Sequence, residues 1–287
     1  MRTVREISEL RQILTESRER GQIIGLVPTM GNLHDGHLAL VGAARDRADI
    51  VVATIFINPM QFGPGEDLDT YPRTFEADRE ALETAGCDLV FAPSAESLYP
   101  RGLASHTKVV VRGVSEGLCG ASRPGHFDGV ATVVSMLFNL VQPDLACFGE
   151  KDYQQLTVIR RLVTDLHMPI DIVGVPTVRA TDGLALSSRN GYLNEPERRQ
   201  APFLYHTLVE ARTALEAGAD MTATLDTARQ QLAEAGFKAE YLELRQADNL
   251  EPVQSGTTHG VLLAAAHLGP ARLIDNLAVR LPGDQGD

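Results

Sequence analysis

Short apolar runs rich in β-branched residues alternate with helix-patterned segments over the first part of the chain. Strands that alternate with helices form parallel, doubly wound sheets, and strands buried on both faces have nearly continuous apolar sequences such as IIGLV and IVVATIFI. The pattern therefore predicts an α/β fold built on a Rossmann-like, doubly wound parallel sheet. The predicted strands are Ile23–Val27, Ile50–Ile57, Asp88–Phe91, Leu145–Phe148 and Asp171–Val175, and two of the predicted helices are Arg73–Ala85 and Asp152–Leu166.

The sequence changes character after the segment SSRNGYLNEPERR, which begins at Ser187. Ala- and Leu-rich helix patterns are followed there by strand-like runs, which predicts a second, smaller α+β domain at the C-terminal end. We place the boundary near Thr177, so the predicted domains are residues 1–177 and 178–287. The predicted helices are Glu195–Ala217 and Thr222–Ala235, and the predicted strands are Glu240–Arg245, Gly260–Ala266 and Arg272–Val279.

The formal charge of −12 disfavours a nucleic-acid partner, because binding to a phosphate backbone depends on a basic surface. Anionic small molecules are compatible with this charge, since a local cluster of cations sets the field inside a cleft. No apolar run approaches the ~18 residues of a membrane span, and the first residues are charged and helix-patterned. We expect a cytoplasmic protein without a membrane partner. The widely spaced Cys87, Cys119 and Cys147 favour buried free thiols.

Two histidines follow the first predicted strand, within the sequence PTMGNLHDGH. The ligand crevice of a doubly wound sheet lies at the carboxyl ends of its strands. His34 and His37 are three residues apart, so both side chains face one ligand if they lie on a helix. The backbone N–H groups and dipole of a helix N-terminus suit a phosphate, and Gly36 adds no bulk. A metal site and ordinary surface histidines are the alternatives.

Lys151 follows the predicted strand Leu145–Phe148, and its side chain is therefore also expected at the carboxyl edge of the sheet. A lysine at the start of a helix is more often a solvated charge. Asp152, next to it, suits either Mg²⁺ on bound phosphates or a helix N-cap.

Three amides are candidates for substrate binding. Asn58 and Gln61 follow the predicted strand that ends at Ile57, and Gln155 lies one turn after Lys151. Amides both donate and accept, which suits a substrate with hydroxyl and carboxylate groups, although an Asn before a proline is also a common turn residue. The Gly-, Pro- and acid-rich segment Phe62–Arg73 is predicted to be a long mobile loop beside them.

Five motifs that lie in order between Pro28 and Leu193 carry a family resemblance. PTMGNLHDGH, FINPMQFGPGEDLDTYPRT, SRPGHFDGVATVV, FGEKDYQQL and DGLALSSRNGYL resemble the pantoate–β-alanine ligases of the H-x-G-H nucleotidylyltransferase superfamily. Two departures are Asn32, where the family commonly has Ala, and Asp35, where it commonly has Glu. Neither removes a group that the chemistry requires.

The resemblance implies ATP-dependent condensation of (R)-pantoate with β-alanine to pantothenate through a pantoyl adenylate, with release of pyrophosphate and AMP. It also implies a homodimer, and a first domain that binds nucleotide and pantoate. The implied catalytic residues are His34, His37, Lys151 and Arg189. The residues implied for ATP are Met30, Gly31, Asn32, Leu33, His34, Asp35, Gly36, His37, Gly149, Glu150, Lys151, Asp152, Val178, Leu186, Ser187, Ser188 and Arg189. Those implied for pantoate and β-alanine are Pro28, Asn58, Gln61 and Gln155. The candidate metal ligand for Mg²⁺ is the carboxylate of Asp152.

The segment LSSRN stands where related synthetases and transferases carry a mobile KMSKS-type loop, and it lacks the second lysine of that motif. Lys151 would supply this charge from another segment. A simple Ser-rich turn between domains is the alternative. Arg123 in SRPGHFDG either faces a substrate carboxylate or ties an interface loop, and His126 is predicted to be an N-terminal helix residue rather than a ligand.

Two other functions compete with the ligase. A nucleotidylyltransferase that transfers AMP to a phosphate acceptor would need a basic acceptor pocket where this chain has Asn58, Gln61 and Gln155. A noncatalytic nucleotide sensor would be expected to have lost phosphate-contacting residues. This chain has all four of them, namely His34, His37, Lys151 and Arg189. The sequence therefore favours the ligase.

Overall fold

The computed structural model describes residues 1–282 and contains a six-stranded sheet in which every neighbouring pair of strands is parallel. The order across the sheet is β1-β4-β3-β2-β5-β6. This arrangement confirms the predicted fold class. The strands are β1 (Arg2–Val4), β2 (Ile24–Thr29), β3 (Ile50–Ile55), β4 (Leu89–Phe91), β5 (Leu145–Gly149) and β6 (Asp171–Val175).

The order of the strands reverses between β2 and β5. From β2 the chain proceeds to β3 and β4 on one side, and it later places β5 and β6 on the other side. A doubly wound sheet binds its ligands at such a switch point, outside the carboxyl ends of the strands. Thr29 ends β2 and Gly149 ends β5, so the segments that follow them border the crevice.

Seven α-helices and two short 3₁₀ turns connect these strands or follow them within residues 1–176. The segment Phe62–Arg73 contains neither helix nor strand, in agreement with its prediction as a loop. The helices are α1 (Ile7–Glu19), α2 (Asp35–Arg45), α3 (Phe75–Thr84), α4 (Ala95–Leu98), α5 (Leu118–Ser122), α6 (His126–Val141) and α7 (Tyr153–Asp165), and the 3₁₀ turns are Pro59–Gln61 and Glu150–Asp152.

The C-terminal part of the chain has a three-stranded antiparallel sheet of order β7-β8-β9. The single helix predicted over Glu195–Ala217 is two helices, because the ring of Pro202 would clash with the preceding turn of a continuous helix. Capping of the first of these by Asn194 and Glu197 marks where it begins. The elements are α8 (Glu195–Gln200), α9 (Phe203–Glu216), α10 (Met221–Glu234), β7 (Lys238–Gln246), β8 (His259–Leu268) and β9 (Ala271–Arg280), with a 3₁₀ turn at Ser188–Tyr192.

The chain forms two compact units. The first comprises residues 1–150 and 155–176, and the second comprises residues 151–154 and 177–287. The short segment Lys151–Gln154, which the sequence placed in the first domain, therefore groups with the second unit. No helix within residues 1–282 is both long and apolar enough to cross a bilayer. All three cysteines are free and buried, as predicted, and burial raises the pKa of Cys87 and of Cys147 to about 11.

Candidate active site

The two histidines of the H-x-G-H sequence form the N-terminal cap of α2. His34 is the N-cap residue, and its Nδ1 accepts the backbone N–H of Gly36 at 3.1 Å. The Nδ1 of His37 accepts the backbone N–H of His34 at 3.3 Å. The ring centroids are 4.1 Å apart. The imidazoles therefore lie side by side at the start of the helix that follows β2.

This capping occupies backbone N–H groups at the start of α2 that a phosphate could otherwise bind. The sequence suggested that the backbone N–H groups of this turn are available to a phosphate, but the imidazoles already bind those of His34 and Gly36. Because both Nδ1 atoms accept, each neutral ring carries its proton on Nε2. Each imidazole thus fixes the backbone with one nitrogen and has an N–H donor on the other.

A buried carboxylate on α3 holds the turn between β2 and α2. Asp78 accepts the backbone N–H of Asn32 at 2.9 Å and that of Leu33 at 2.8 Å. The hydroxyl of Thr74 donates to the same carboxylate at 3.1 Å. Gly31 and Asn32 have positive φ angles of 83° and 50°, so this turn is tight.

The amide of Gln61 is held by its neighbours in the first unit. Its Oε1 accepts from Nδ2 of Asn58 at 3.1 Å, and its Nε2 donates to the sulfur of Met30 at 3.2 Å. The Oδ1 of Asn58 accepts from the backbone N–H of Met60 and from the hydroxyl of Tyr99, while its Nδ2 also donates to the carbonyl of Gly129. These four bonds use the full capacity of the Asn58 amide. Asn58 is thus both the predicted turn residue and the support of Gln61.

Helix α6 fixes the backbone of the same segment. A Cβ atom on Gly129 would lie 2.6 Å from backbone atoms of Met60 and Gln61, so only glycine allows this approach. His126 begins α6, as predicted, and its Nδ1 lies 2.8 Å from the carbonyl oxygen of Gln61.

Arg123 forms an ion pair with Glu66 of the predicted loop. Its Nε and Nη2 donate to the two oxygens of Glu66 at 2.7 and 2.6 Å, and its Nη1 lies 3.0 Å from Nε2 of His126. The pair with Glu66 therefore ties Arg123 to the loop Phe62–Arg73.

In the second unit, Lys151 is held by strand β9. The carbonyl oxygen of Lys151 accepts a hydrogen bond from Nδ2 of Asn276 at 2.9 Å. Lys151 and the neighbouring Asp275 line one cleft, and Arg179 pairs with Asp275 through both carboxylate oxygens at 2.6 and 2.8 Å. The guanidinium of Arg179 lies 4.0 Å from the ring centroid of Tyr205. Arg179 thus balances the negative charge of Asp275 beside Lys151.

The LSSRN segment follows a short hairpin in which the backbone N–H of Leu186 donates to the carbonyl of Val178 at 3.0 Å. The hydroxyl of Ser187 accepts the backbone N–H of Arg189 at 3.3 Å and caps the 3₁₀ turn that contains Ser188 and Arg189. Ser187 lines the same cleft as Lys151. The structure therefore brings Lys151 and Ser187 together in the second unit.

Other predicted residues lie at the end of β2 or along the segment that runs from the end of β5 into α7. Pro28 is in β2, Gly149 ends β5 and Glu150 begins the following 3₁₀ turn. Asp152 is exposed at the end of that turn, and Gln155 is partly buried in α7. Within residues 1–282, no group of three or more His, Cys, Asp or Glu side chains is arranged to hold a metal ion.

Sequence reasoning missed Asp78, Tyr99 and Asn276. Their partners are backbone groups or a side chain far away in sequence, and no local motif reports such contacts. Gly129 was also missed, although it lies inside the motif SRPGHFDGVATVV and could have been singled out there.

Comparison with known proteins identifies the family. The pantoate-beta-alanine ligase family model matches residues 2–278. The pantothenate synthetase of Chromohalobacter salexigens is 63% identical over 98% of this chain and 100% of its own length, and that of Pseudomonas aeruginosa PAO1 is 60% identical over the same shares.

Two solved structures have the same architecture. The pantothenate synthetase from Thermus thermophilus is 48% identical, with a TM-score of 0.89 over 96% of this chain and 99% of that chain. The pantoate-beta-alanine ligase from Francisella tularensis, complexed with beta-gamma ATP and beta-alanine, is 32% identical, with a TM-score of 0.81 over 96% and 97%. This chain therefore belongs to the pantoate-beta-alanine ligase family.

Proposed function

We propose that this ligase makes pantothenate in two steps through a pantoyl adenylate. As a family member, the chain is an ATP-dependent ligase that joins pantoate to β-alanine. In the proposed first step, a pantoate carboxylate oxygen attacks the α-phosphorus of ATP and pyrophosphate leaves. In the second step, the amine of β-alanine attacks the acyl carbon and AMP leaves. The main observation that supports this proposal is the pair of imidazoles at the start of α2, which follows β2 at the reversal in strand order.

The proposed phosphate-binding groups are His34, His37, Lys151, Ser187, Ser188 and Arg189. Attack by a carboxylate on a polyphosphate brings negative charges together, so fixed donors and cations lower the barrier. Both imidazoles suit this role because their Nδ1 atoms are used by the backbone and their Nε2 atoms carry protons. His37 is the proposed proton donor to the leaving pyrophosphate. The other residues proposed to contact ATP are Met30, Gly31, Asn32, Leu33, Asp35, Gly36, Gly149, Glu150, Asp152, Val178 and Leu186.

Gln61 and Gln155 are proposed to bind pantoate, and Gln61 also contacts the β-alanine position. The Gln61 amide is buried and held by two side chains, which supports a fixed orientation. Since the Asn58 amide is saturated by protein partners, we propose that Asn58 acts on the substrate through Gln61. Pro28 was expected to shape the turn before Met30; since it lies in β2, we propose that it supports that turn from the end of the strand.

Mg²⁺ is proposed to accompany the ATP phosphates. This ion typically uses one or two carboxylates together with substrate phosphates, and Asp152 offers one exposed carboxylate beside Lys151. The bound ion would neutralise phosphate charge.

Three broader assignments are also proposals. The first predicted domain, residues 1–177, is proposed to bind nucleotide and pantoate, with residues 178–287 as the smaller domain. The homodimer is proposed from the family resemblance, and the cytoplasmic location is proposed from the sequence pattern. Light scattering on the purified protein tests the dimer, and a monomeric mass at assay concentration would contradict it.

An oxygen-tracing experiment tests the two-step route. Pantoate labelled with ¹⁸O in its carboxylate is incubated with ATP, β-alanine and the enzyme. In the proposed route one labelled oxygen bridges to the α-phosphorus and leaves with AMP, so the label appears in AMP and none appears in inorganic phosphate. A route through an acyl phosphate would instead yield ADP and labelled phosphate, and this result would refute the proposal.

A further inference from the structure

We infer that Asp78 is a positioning residue for the two histidines of the ATP site, and that its carboxylate sets where α2 begins. This inference rests on the proposed role of His34 and His37. Asp78 lies on α3, more than forty residues away in sequence, and belongs to none of the motifs around the proposed site.

Each oxygen of this carboxylate has a backbone partner in the turn before His34. The side chain is buried, with Asp78 only 4% exposed. Its Oδ2 accepts from the N–H of Asn32 and its Oδ1 accepts from the N–H of Leu33, at 2.9 and 2.8 Å. Successive backbone N–H groups in a turn form a concave anion site, and here the protein fills that site with its own carboxylate.

The conformation of the turn depends on this occupant. Gly31 and Asn32 are consecutive residues with positive φ, which costs about 1 kcal/mol or more for a residue with a Cβ. A Cβ atom on Gly31 would lie 2.9 Å from Oδ2 of Asp78. The carboxylate therefore packs directly against Gly31. Its hydrogen bond to the N–H of Asn32 offsets the backbone strain at that residue.

The position of the histidines follows from the same contacts. Leu33 is bound to Asp78, and the next residue, His34, is the N-cap of α2. The Nδ1 of His37 then accepts the backbone N–H of His34, and the Nδ1 of His34 accepts that of Gly36. A change at Asp78 would therefore move the backbone of Asn32 and Leu33, and with it the imidazoles of the following helix start. Asp78 does not need to contact the ligand for this effect.

An amide cannot replace the carboxylate in this arrangement. Asp78→Asn keeps the shape of the side chain, but it turns one of two acceptors into an N–H donor that faces a backbone N–H. Asp144→Asn is a matched control, because the Asp144 carboxylate also accepts a backbone N–H, that of Ile24, at the opposite edge of the sheet.

The experiment compares wild type, both variants and His37→Ala. Pyrophosphate release gives kcat and the KM for ATP, and ¹⁵N-histidine NMR reports the ring nitrogens. For Asp78→Asn we expect kcat to fall about 10- to 100-fold, since a displacement near 1 Å has costs of that order. The Nδ1 signals of His34 and His37 should shift, whereas Asp144→Asn should leave both rate and signals unchanged.

Each outcome decides the inference. Unchanged histidine signals in folded Asp78→Asn, whatever its rate, together with a severe loss in His37→Ala, would overturn the positioning role alone. Wild-type pyrophosphate release by His37→Ala would overturn both this inference and the proposed site. If Asp78→Asn does not fold, Thr74→Val replaces it, because this change removes only one hydrogen bond to the carboxylate and keeps the carboxylate itself. A smaller rate loss with shifted histidine signals is then expected, and unchanged signals would overturn the inference.

Discussion

Asn276 on β9 binds the main chain of Lys151 across 125 residues of sequence, through an Nδ2 to carbonyl hydrogen bond of 2.9 Å. The backbone N–H of Asn276 in turn donates to Asp275, which pairs with Arg179. The strand thus fixes the backbone from which the lysine side chain extends. This contact uses the main-chain carbonyl and does not involve the ammonium group.

Replacing Asn276 should impair adenylation more than stability. Asn276→Ala removes the hydrogen bond to Lys151, which is worth about 1 kcal/mol in folding. We expect pyrophosphate release to slow about tenfold because Lys151 is less well placed. Asn249→Ala is the control, since that amide caps only the nearby N–H of Glu251. Equal rates in the two variants would argue against a role for Asn276.

Removing the proposed phosphate donors should stop adenylation while the fold persists. For Lys151→Ala and His37→Ala we expect pyrophosphate release to fall severely, because loss of one preorganised donor typically raises a barrier by ~3–4 kcal/mol. Circular dichroism checks that each variant is folded. Near-normal pyrophosphate release by either folded variant would remove that residue from the proposed site.

A methyl group on Gly129 should disturb Gln61. In Gly129→Ala the new Cβ would meet backbone atoms of Met60 and Gln61 at 2.6 Å, so the segment must shift. We expect a loss of about 1–3 kcal/mol in unfolding free energy and a higher KM for pantoate. Gly42→Ala on α2 is the matched control, because nothing lies within 4 Å of its added Cβ. Similar values for both variants would show that the close approach is unimportant.

The Glu66–Arg123 pair should give the protein a defined pH dependence. Burial alone raises the pKa of Glu66, but the hydrogen bonds and charge of Arg123 outweigh it, and the pKa lies below its ordinary value of 4.5. A lowered folded-state pKa stabilises above the unfolded value, and this stability is lost as pH falls through the folded value.

The comparison of wild type with Glu66→Gln measures this effect. The difference between their unfolding free energies, from urea titrations, should be constant well above pH 4.5 and should shrink as the pH falls below 4.5 and through the lowered folded-state pKa. A difference that does not change with pH would contradict the lowered pKa of Glu66.

The loop Phe62–Arg73 should close over the bound adenylate. A mixed anhydride is lost to hydrolysis unless water is excluded, and Gln61 directly precedes this loop. We expect ATP plus pantoate to slow proteolysis within the loop. ATP alone serves as the control. If the two substrates together give no protection relative to free enzyme, the loop is not a lid.

The sequence was most informative where side-chain pattern and backbone geometry coincide. Strands β2 and β3 are almost continuously apolar and were readily recognised, whereas β1 has only three residues and shows no such pattern. The spacing of His34 and His37 predicted neighbouring imidazoles. Their use as caps was not predicted, because N-caps are typically Ser, Thr, Asp or Asn. The contacts of Asp78 with backbone N–H groups depend on tertiary packing that no local pattern records.

The path of the chain between its two compact units has a consequence for protein engineering. The chain changes unit after residues 150, 154 and 176. A split after Pro176 would leave Lys151 on one fragment and Asn276, which holds it, on the other. The two units are therefore not interchangeable modules. In a chimera that exchanges the C-terminal half between relatives, exchanging residues 151–154 as well keeps each compact unit from one parent.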